Sequence, residues 1–175
     1  MHFSRKEFEN EAITKWLLSI QPIEQLWDAV LKVVHQDMWE ANHAASSLLQ
    51  QQMLHKELPL ATWPTVYPGM DVIANRTTPK HYDQGGAFTF YDHLVSFGQD
   101  HNARFWVDDL DAEFAYQPGT SILFSGKGLH HSVPKWSAGE RMVIAHYANN
   151  KVMDRIEVNM PSSLPTQLDW WFRYK

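Results

Sequence analysis

His81-Tyr82-Asp83 and, further along, Leu129-His130-His131-Ser132-Val133 supply a histidine, a carboxylate and a second histidine in that order. This is the ligand set of the facial triad that holds non-haem Fe(II) and leaves coordination positions open. The chemistry it would support is oxidative attack on an unactivated C–H bond. Beyond it, Arg141 opens the apolar run Met142-Val143-Ile144-Ala145. A guanidinium buried there needs an anionic partner. A dicarboxylate that chelates the iron and extends its far carboxylate to Arg141 would be held bidentately. Taken singly these signals are weak: a chain with ten histidines meets His-x-Asp by chance, and Arg141 has an alternative as a surface residue paired with Glu140. Their order and combination carry the reading.

Positioning the ligands needs strands, because side chains two apart on a strand share a face. His81 and Asp83 then project into one cavity while Tyr82 faces away. Ser121-Ile122-Leu123-Phe124 reads as a buried strand, followed by a bend at Ser125-Gly126-Lys127-Gly128. On the return, alternation groups Leu129, His131 and Val133 on the apolar face, which favours His131 over His130 as ligand. His130 is left as a neighbour of the site or a surface residue, and His93 and His146 receive no role.

The first third reads as helices that pack on a sheet. Phe8, Ala12, Ile13, Trp16, Leu17 and Ile20 form one stripe. Pro22 is expected to open a second helix with Ile23, Leu26, Trp27, Val30, Leu31 and Val34, and a third runs from about Met38 to Met53 with Ala41, Ala45, Leu48 and Leu49 inward. After Pro59 the texture changes to short β-type runs: Met70–Arg76, Phe90–Phe97, Arg104–Val107, Glu113–Tyr116, Ser121–Phe124 and Met142–Tyr147. Gln117-Pro118-Gly119-Thr120 is a turn signal. The expected class is mainly β with N-terminal helices (α+β), a sandwich or jelly roll. Residues 1–58, 59–150 and 151–175 are expected to form the helical support, the β core and a C-terminal extension of a single domain, with Leu168–Tyr174 folding back onto it.

The 175 residues, 44% of them apolar, suffice for a substantial core. The absence of cysteine excludes disulfides, thiolate catalysis and cysteine-based zinc sites. Met1–Asn10 lacks the apolar core of a signal peptide and no run reaches membrane-spanning length, so the expectation is an intracellular protein with no membrane association; the nucleus is open to it by size. No obligate protein partner is inferred. A formal net charge of −5 argues against coating nucleic acid through bulk electrostatics, though not against a local basic groove.

From about Trp63 to Asn149 the sequence resembles the Fe(II)/2-oxoglutarate-dependent dioxygenases of the double-stranded β-helix fold, and within them the TET/JBP-type oxygenases, in particular the compact fungal branch. The resemblance lies in Ile73-Ala74-Asn75-Arg76-Thr77-Thr78-Pro79-Lys80-His81-Tyr82-Asp83, Tyr91-Asp92-His93-Leu94 and Phe97-Gly98. It continues in Ala115-Tyr116-Gln117-Pro118-Gly119-Thr120, Ser125-Gly126, Leu129-His130-His131 and Gly139-Glu140-Arg141. It implies a double-stranded β-helix backed by about three helices, with Fe(II) on His81, Asp83 and His131, and O₂ as oxidant. It further implies 2-oxoglutarate on Arg141, with Asn75 and Arg76 close to the pocket in cosubstrate or substrate contact. The implied reaction is oxidation of a nucleobase methyl group, with 5-methylcytosine in DNA the best-known substrate. Two departures stand out. Gln84-Gly85-Gly86 follows the triad aspartate where animal members have a polar base contact, and the animal cysteine-rich zinc region is absent.

Candidate substrate contacts are Arg76, Tyr82, Gln84, Phe90 and Tyr91. The aromatic ones could stack on a flipped base, with ordinary strand packing as their alternative. Arg76, Lys80, Lys127 and Lys135 put positive charge near the ligands, a thin footprint for duplex DNA. Asp108, Asp109, Asp111 and Glu113 read as a solvated hairpin far from the pocket. A small molecule or protein side chain as substrate, and a β-helix module without catalysis, stand as the other readings.

Overall fold

Apolar residues at helical spacing produce helix α1, Glu11–Val34, and helix α2, Gln36–Leu54, in the computed structural model, which describes residues 11–54 and 63–165. The helix break expected at Pro22 is absent: α1 runs through it. Proline removes one backbone hydrogen bond, to the carbonyl of the residue four before it. That residue is Leu18, and both Pro22 and Leu18 are exposed, so water can meet the freed carbonyl. Continuity also resets the buried face. It consists of Leu17, Glu24, Trp27 and Leu31, while Ile23, Leu26 and Val30, expected inward, are exposed. Phe8 lies outside the described residues.

Helix α2 buries Met38, Ala41 and Ala45, together with the polar Asn42 and Ser46, and leaves Leu48 exposed. The inward polar face has a use. Ser46 donates to Val66 O at 2.6 Å, and the Asp28 carboxylate of α1 accepts from Thr65 Oγ1 at 2.8 Å and from Val66 N at 3.0 Å. Residues 63–68 are thereby fastened to both helices without forming a strand. Met1–Pro68 with Lys151–Lys175 make one compact unit, and Gly69–Asn150 the other. The first strand accordingly begins at Gly69, next to the Met70 expected from sequence.

The second unit is built of eight antiparallel strands: β1 Gly69–Ala74, β2 Thr78–His81, β3 Asp92–Gln99, β4 Arg104–Val107, β5 Ala112–Ala115, β6 Ser121–Phe124, β7 His131–Val133 and β8 Glu140–Tyr147. One sheet has the order β1-β8-β3-β6 and the other β2-β7-β4-β5. This is the jelly-roll arrangement, and with the helices it gives the expected α+β class. The two sheets share a core of Ala103, Phe105, Val107, Tyr116, Phe124, Val133 and Val143. At Gln117–Thr120 the Thr120 N–H donates to Gln117 O at 3.0 Å and Gly119 has φ 89°. Positive φ at the third turn residue is the type II geometry that Pro-Gly encodes. A short helix α3, Asn150–Arg155, follows β8. Leu168–Tyr174 lie outside the described residues. Among the described residues no helix is long and apolar enough to cross a membrane.

Replacing Pro22 with alanine restores a helix donor at an exposed position. The variant is expected to be more stable by about 1–3 kcal/mol in urea unfolding, and an unchanged or lower midpoint would contradict a continuous α1.

Candidate metal centre

Strand β7 lies between β2 and β4, and His131 is paired directly with His81 on one side and with Val107 on the other. Between Thr78 and His81 the β2 register shifts: they oppose Val133 and His131, so three steps on β2 meet two on β7. Such a bulge changes which residues face inward. Here it lets both Thr78 and His81 line the same cavity, which strict alternation would forbid. Beyond the strand Asp83 points the same way as His81, and its N–H is held by Gly126 O at 2.9 Å.

The imidazoles of His81 and His131 stand 4.3 Å apart between ring centroids. His81 Nδ1 lies 2.8 Å from Pro79 O and His131 Nδ1 lies 3.1 Å from Leu129 O. A carbonyl only accepts, so each Nδ1 carries a proton and Nε2 is the ring atom left to face a metal. Those Nε2 atoms face one carboxylate, His81 at 3.2 Å from Asp83 Oδ1 and His131 at 3.8 Å from Oδ2. The three ligand atoms all lie within 4.8 Å of one another. Phe105 stacks on His131 and Phe124 meets it edge-on, which fixes its ring plane. Burial holds the His131 imidazole below its ordinary pKa and thus favours the neutral form a metal requires.

Asp92, from β3, is a neighbour that pattern reading missed. It is buried, accepts from Gly126 N at 3.2 Å, and lines the cavity beside Asp83. Burial, reinforced by the Asp83 charge, pushes its carboxyl well above the usual range. The available signal was an acidic residue opening a strand whose next residues include the apolar Leu94, Val95 and Phe97. Gly126 fits between the two carboxylates, and a Cβ there would collide with Asp83 Oδ2 and Asp92 Oδ2.

Arg141 is buried rather than paired with Glu140. Its Nη1 donates to Arg76 O at 2.9 Å, and the guanidinium lies over the rings of Tyr116 at 5.2 Å and Trp136 at 5.6 Å. Arg141 Nε and Tyr116 Oη are buried and meet no hydrogen-bond partner. Desolvation lowers the Arg141 pKa and raises that of Tyr116. Asn75, at φ 48°, exchanges two bonds with the Arg141 backbone: its N–H donates to Arg141 O at 2.7 Å and its Oδ1 accepts from Arg141 N at 2.9 Å. It fixes the start of β8 and does not line the cavity.

One cavity of about 310 Å³ is lined by His81, Asp83, His131, Asp92 and Arg141 together with Gln84, Asp71, Tyr147 and Asn149. Of the candidate substrate contacts, Gln84 alone lines it; Arg76 is exposed, Tyr82 points outward, Phe90 is fully buried and Tyr91 half-buried. Tyr147 donates to Asp71 Oδ1 at 3.4 Å, and its hydroxyl is pushed up to about 12 by burial and by Asp71. The acidic hairpin is not remote from the site: Asp109 bonds to His130, next to a candidate ligand. His93 and His146 stack at 5.4 Å, and burial beside His146 brings His93 down to about 3, so it stays neutral.

No family model and no curated protein sequence matches the chain. Among solved structures, NgTET1 in complex with 5mC DNA is similar over 95% of this chain, with a TM-score of 0.62 and 16% identity. The similar region spans 61% of that chain, and at this identity the likeness concerns the fold. A Cupin 2 conserved barrel domain protein from Salinispora arenicola CNS-205 is similar over 54% of this chain and 76% of its own, with a TM-score of 0.36 and 17% identity.

Gly126→Ala is expected to keep the fold by circular dichroism and to weaken Co(II) binding roughly tenfold or more in anaerobic titration, because the added methyl must displace Asp83. Wild-type affinity in this variant would contradict the carboxylate placement.

Proposed function

We propose that this chain is an Fe(II)- and 2-oxoglutarate-dependent dioxygenase, with His81, Asp83 and His131 as ligands and Arg141 as the cosubstrate anchor. The observation that carries the reading is one cavity shared by a two-histidine, one-carboxylate cluster and a buried cationic group whose Nε meets no partner. The donor set suits Fe(II). The cosubstrate fits as well, because Arg141 lines the cavity and its buried Nε is a donor that a carboxylate would satisfy. When bound, Fe(II), 2-oxoglutarate and O₂ would supply oxidation of an unactivated C–H bond.

The chain's own task is positional. The carbonyls of Pro79 and Leu129 hold the Nδ1 protons, so both histidines present Nε2. Gly126 O and Asp92 confine the Asp83 loop. Asn75 and Arg76 O fix the backbone and guanidinium of Arg141. Gln84, Asp71, Tyr147 and Asn149 form a polar wall in the same cavity that would orient a substrate.

The substrate we favour is a nucleobase methyl group, with 5-methylcytosine in DNA first. It is supported by the TET/JBP-like motifs around the ligands and by the fold likeness to a protein solved with 5mC DNA. A second reading, hydroxylation of a small molecule or protein side chain, is favoured by the acidic hairpin, which sets Asp108 and Asp109 beside the ligand-bearing segments where a polyanion would approach. Incubation with methylated duplex DNA, Fe(II) and 2-oxoglutarate is expected to yield oxidised cytosine by mass spectrometry. Succinate formation driven by metabolites or peptides but not by DNA would select the second reading. Arg141→Lys should raise the 2-oxoglutarate KM roughly tenfold or more because an ammonium cannot reproduce the fork. An unchanged KM would contradict the anchor.

A further inference from the structure

The residues that alternate with the candidate ligands form a second, outward-facing cluster, and it is knotted to a pair of neighbouring acids. Lys80 Nζ lies 3.2 Å from Asp108 Oδ1. Tyr82, between His81 and Asp83, donates to Asp109 Oδ2 at 3.4 Å and stacks on the His130 ring with centroids 3.4 Å apart. His130, immediately before His131, gives its backbone N–H to Asp109 Oδ2 at 2.7 Å, and its Nδ1 lies 3.1 Å from Asp109 Oδ1. The backbone adds Asp108 N–H to His130 O at 2.9 Å. Asp108 and Asp109 belong to a single-turn 3-10 segment, Asp108–Leu110, which Asp111 caps in a left-handed conformation at φ 47°.

We propose that Asp109, with Tyr82 and His130, is a positioning clasp that sets the separation of the two ligand-bearing segments. The inference rests on the metal reading above. The geometry supplies the reason. β2 is four residues long and β7 three, with an irregular register between them, so backbone pairing alone is a weak guide to the distance between His81 and His131. One carboxylate that grips the peptide before His131 and the side chain between His81 and Asp83 couples both segments. The stacked rings keep the outer faces of these segments in register, while their inner faces present Nε2 and carboxylate oxygens. Asp109 and its partners touch neither ion nor cosubstrate; they act through the residues beside them. Outer-shell partners of this kind govern metal affinity by roughly 10–100-fold in metal sites generally.

The same hairpin provides a control. Arg104 pairs with Glu113 across β4 and β5, on the far side of the 3-10 turn, and that pair makes no contact with a ligand segment. Anaerobic Co(II) titration of the full chain, with circular dichroism of each variant, tests the clasp. Asp109→Ala is expected to weaken Co(II) binding about tenfold or more, and Glu113→Gln to leave it unchanged. Tyr82→Leu, which removes both the stack and the hydroxyl, should weaken binding more than Tyr82→Phe, which removes the hydroxyl alone; this comparison carries the test if Asp109→Ala does not fold. Wild-type affinity in both Asp109→Ala and Tyr82→Leu would overturn the clasp while leaving the metal site intact, as would equal weakening in Glu113→Gln. Failure of the wild-type chain to bind Co(II) would remove the metal reading, and the clasp with it.

Discussion

The direct cross-strand pairing of His81 with His131 is the constraint on which the rest of the site depends. Residues on neighbouring antiparallel strands approach closely enough for their side chains to share one ion. A one-residue slip of β2 would turn His81 to the other face and bring Lys80 or Tyr82 inward. Register is therefore chemical here as well as structural. The bulge after Thr78 sets it from one side, and the carbonyls of Pro79 and Leu129, each two residues before a histidine, set the ring orientation from within.

The segment 80–83 divides its labour by alternation. His81 and Asp83 face the cavity, whereas Lys80 and Tyr82 face the acids at 108 and 109. Charge follows the same division. The acids of the hairpin are engaged by Lys80, His130 and Tyr82 on the outside. Inside, Asp83 and Asp92 share a restricted space around Gly126, where burial and the neighbouring Asp83 work against a charge on Asp92. Arg141 lines the same cavity as these acids, and its buried Nε meets no hydrogen-bond partner.

Much of this was legible because period-two alternation and the order His-x-Asp, His, Arg are local properties of the chain. The Pro-Gly turn was readable for the same reason, since φ preferences belong to individual residues. What was not legible depended on non-local partners. Asn75 reads as a pocket residue by its place before the ligands, yet its side-chain oxygen and backbone N–H are taken up by the Arg141 backbone where β1 ends beside β8. Phe90 and Tyr91 read as stacking platforms, but they lie off the cavity wall, in keeping with the packing alternative. The acids at 108–113 looked solvated and remote because nothing in sequence places the β4–β5 turn beside His130. Pro22 looked like a boundary because its cost depends on whether water reaches the freed carbonyl, which is a matter of exposure.

The central claim is that one cavity holds a three-ligand metal centre facing a cationic anchor for a dicarboxylate. The most direct measurement is an anaerobic difference spectrum of the Fe(II)-loaded chain as 2-oxoglutarate is added. The account predicts a weak visible charge-transfer band that saturates at one equivalent and is lost when His131 is replaced by alanine. A chain that binds no Fe(II), or one that binds it without any band on addition of 2-oxoglutarate, would contradict it.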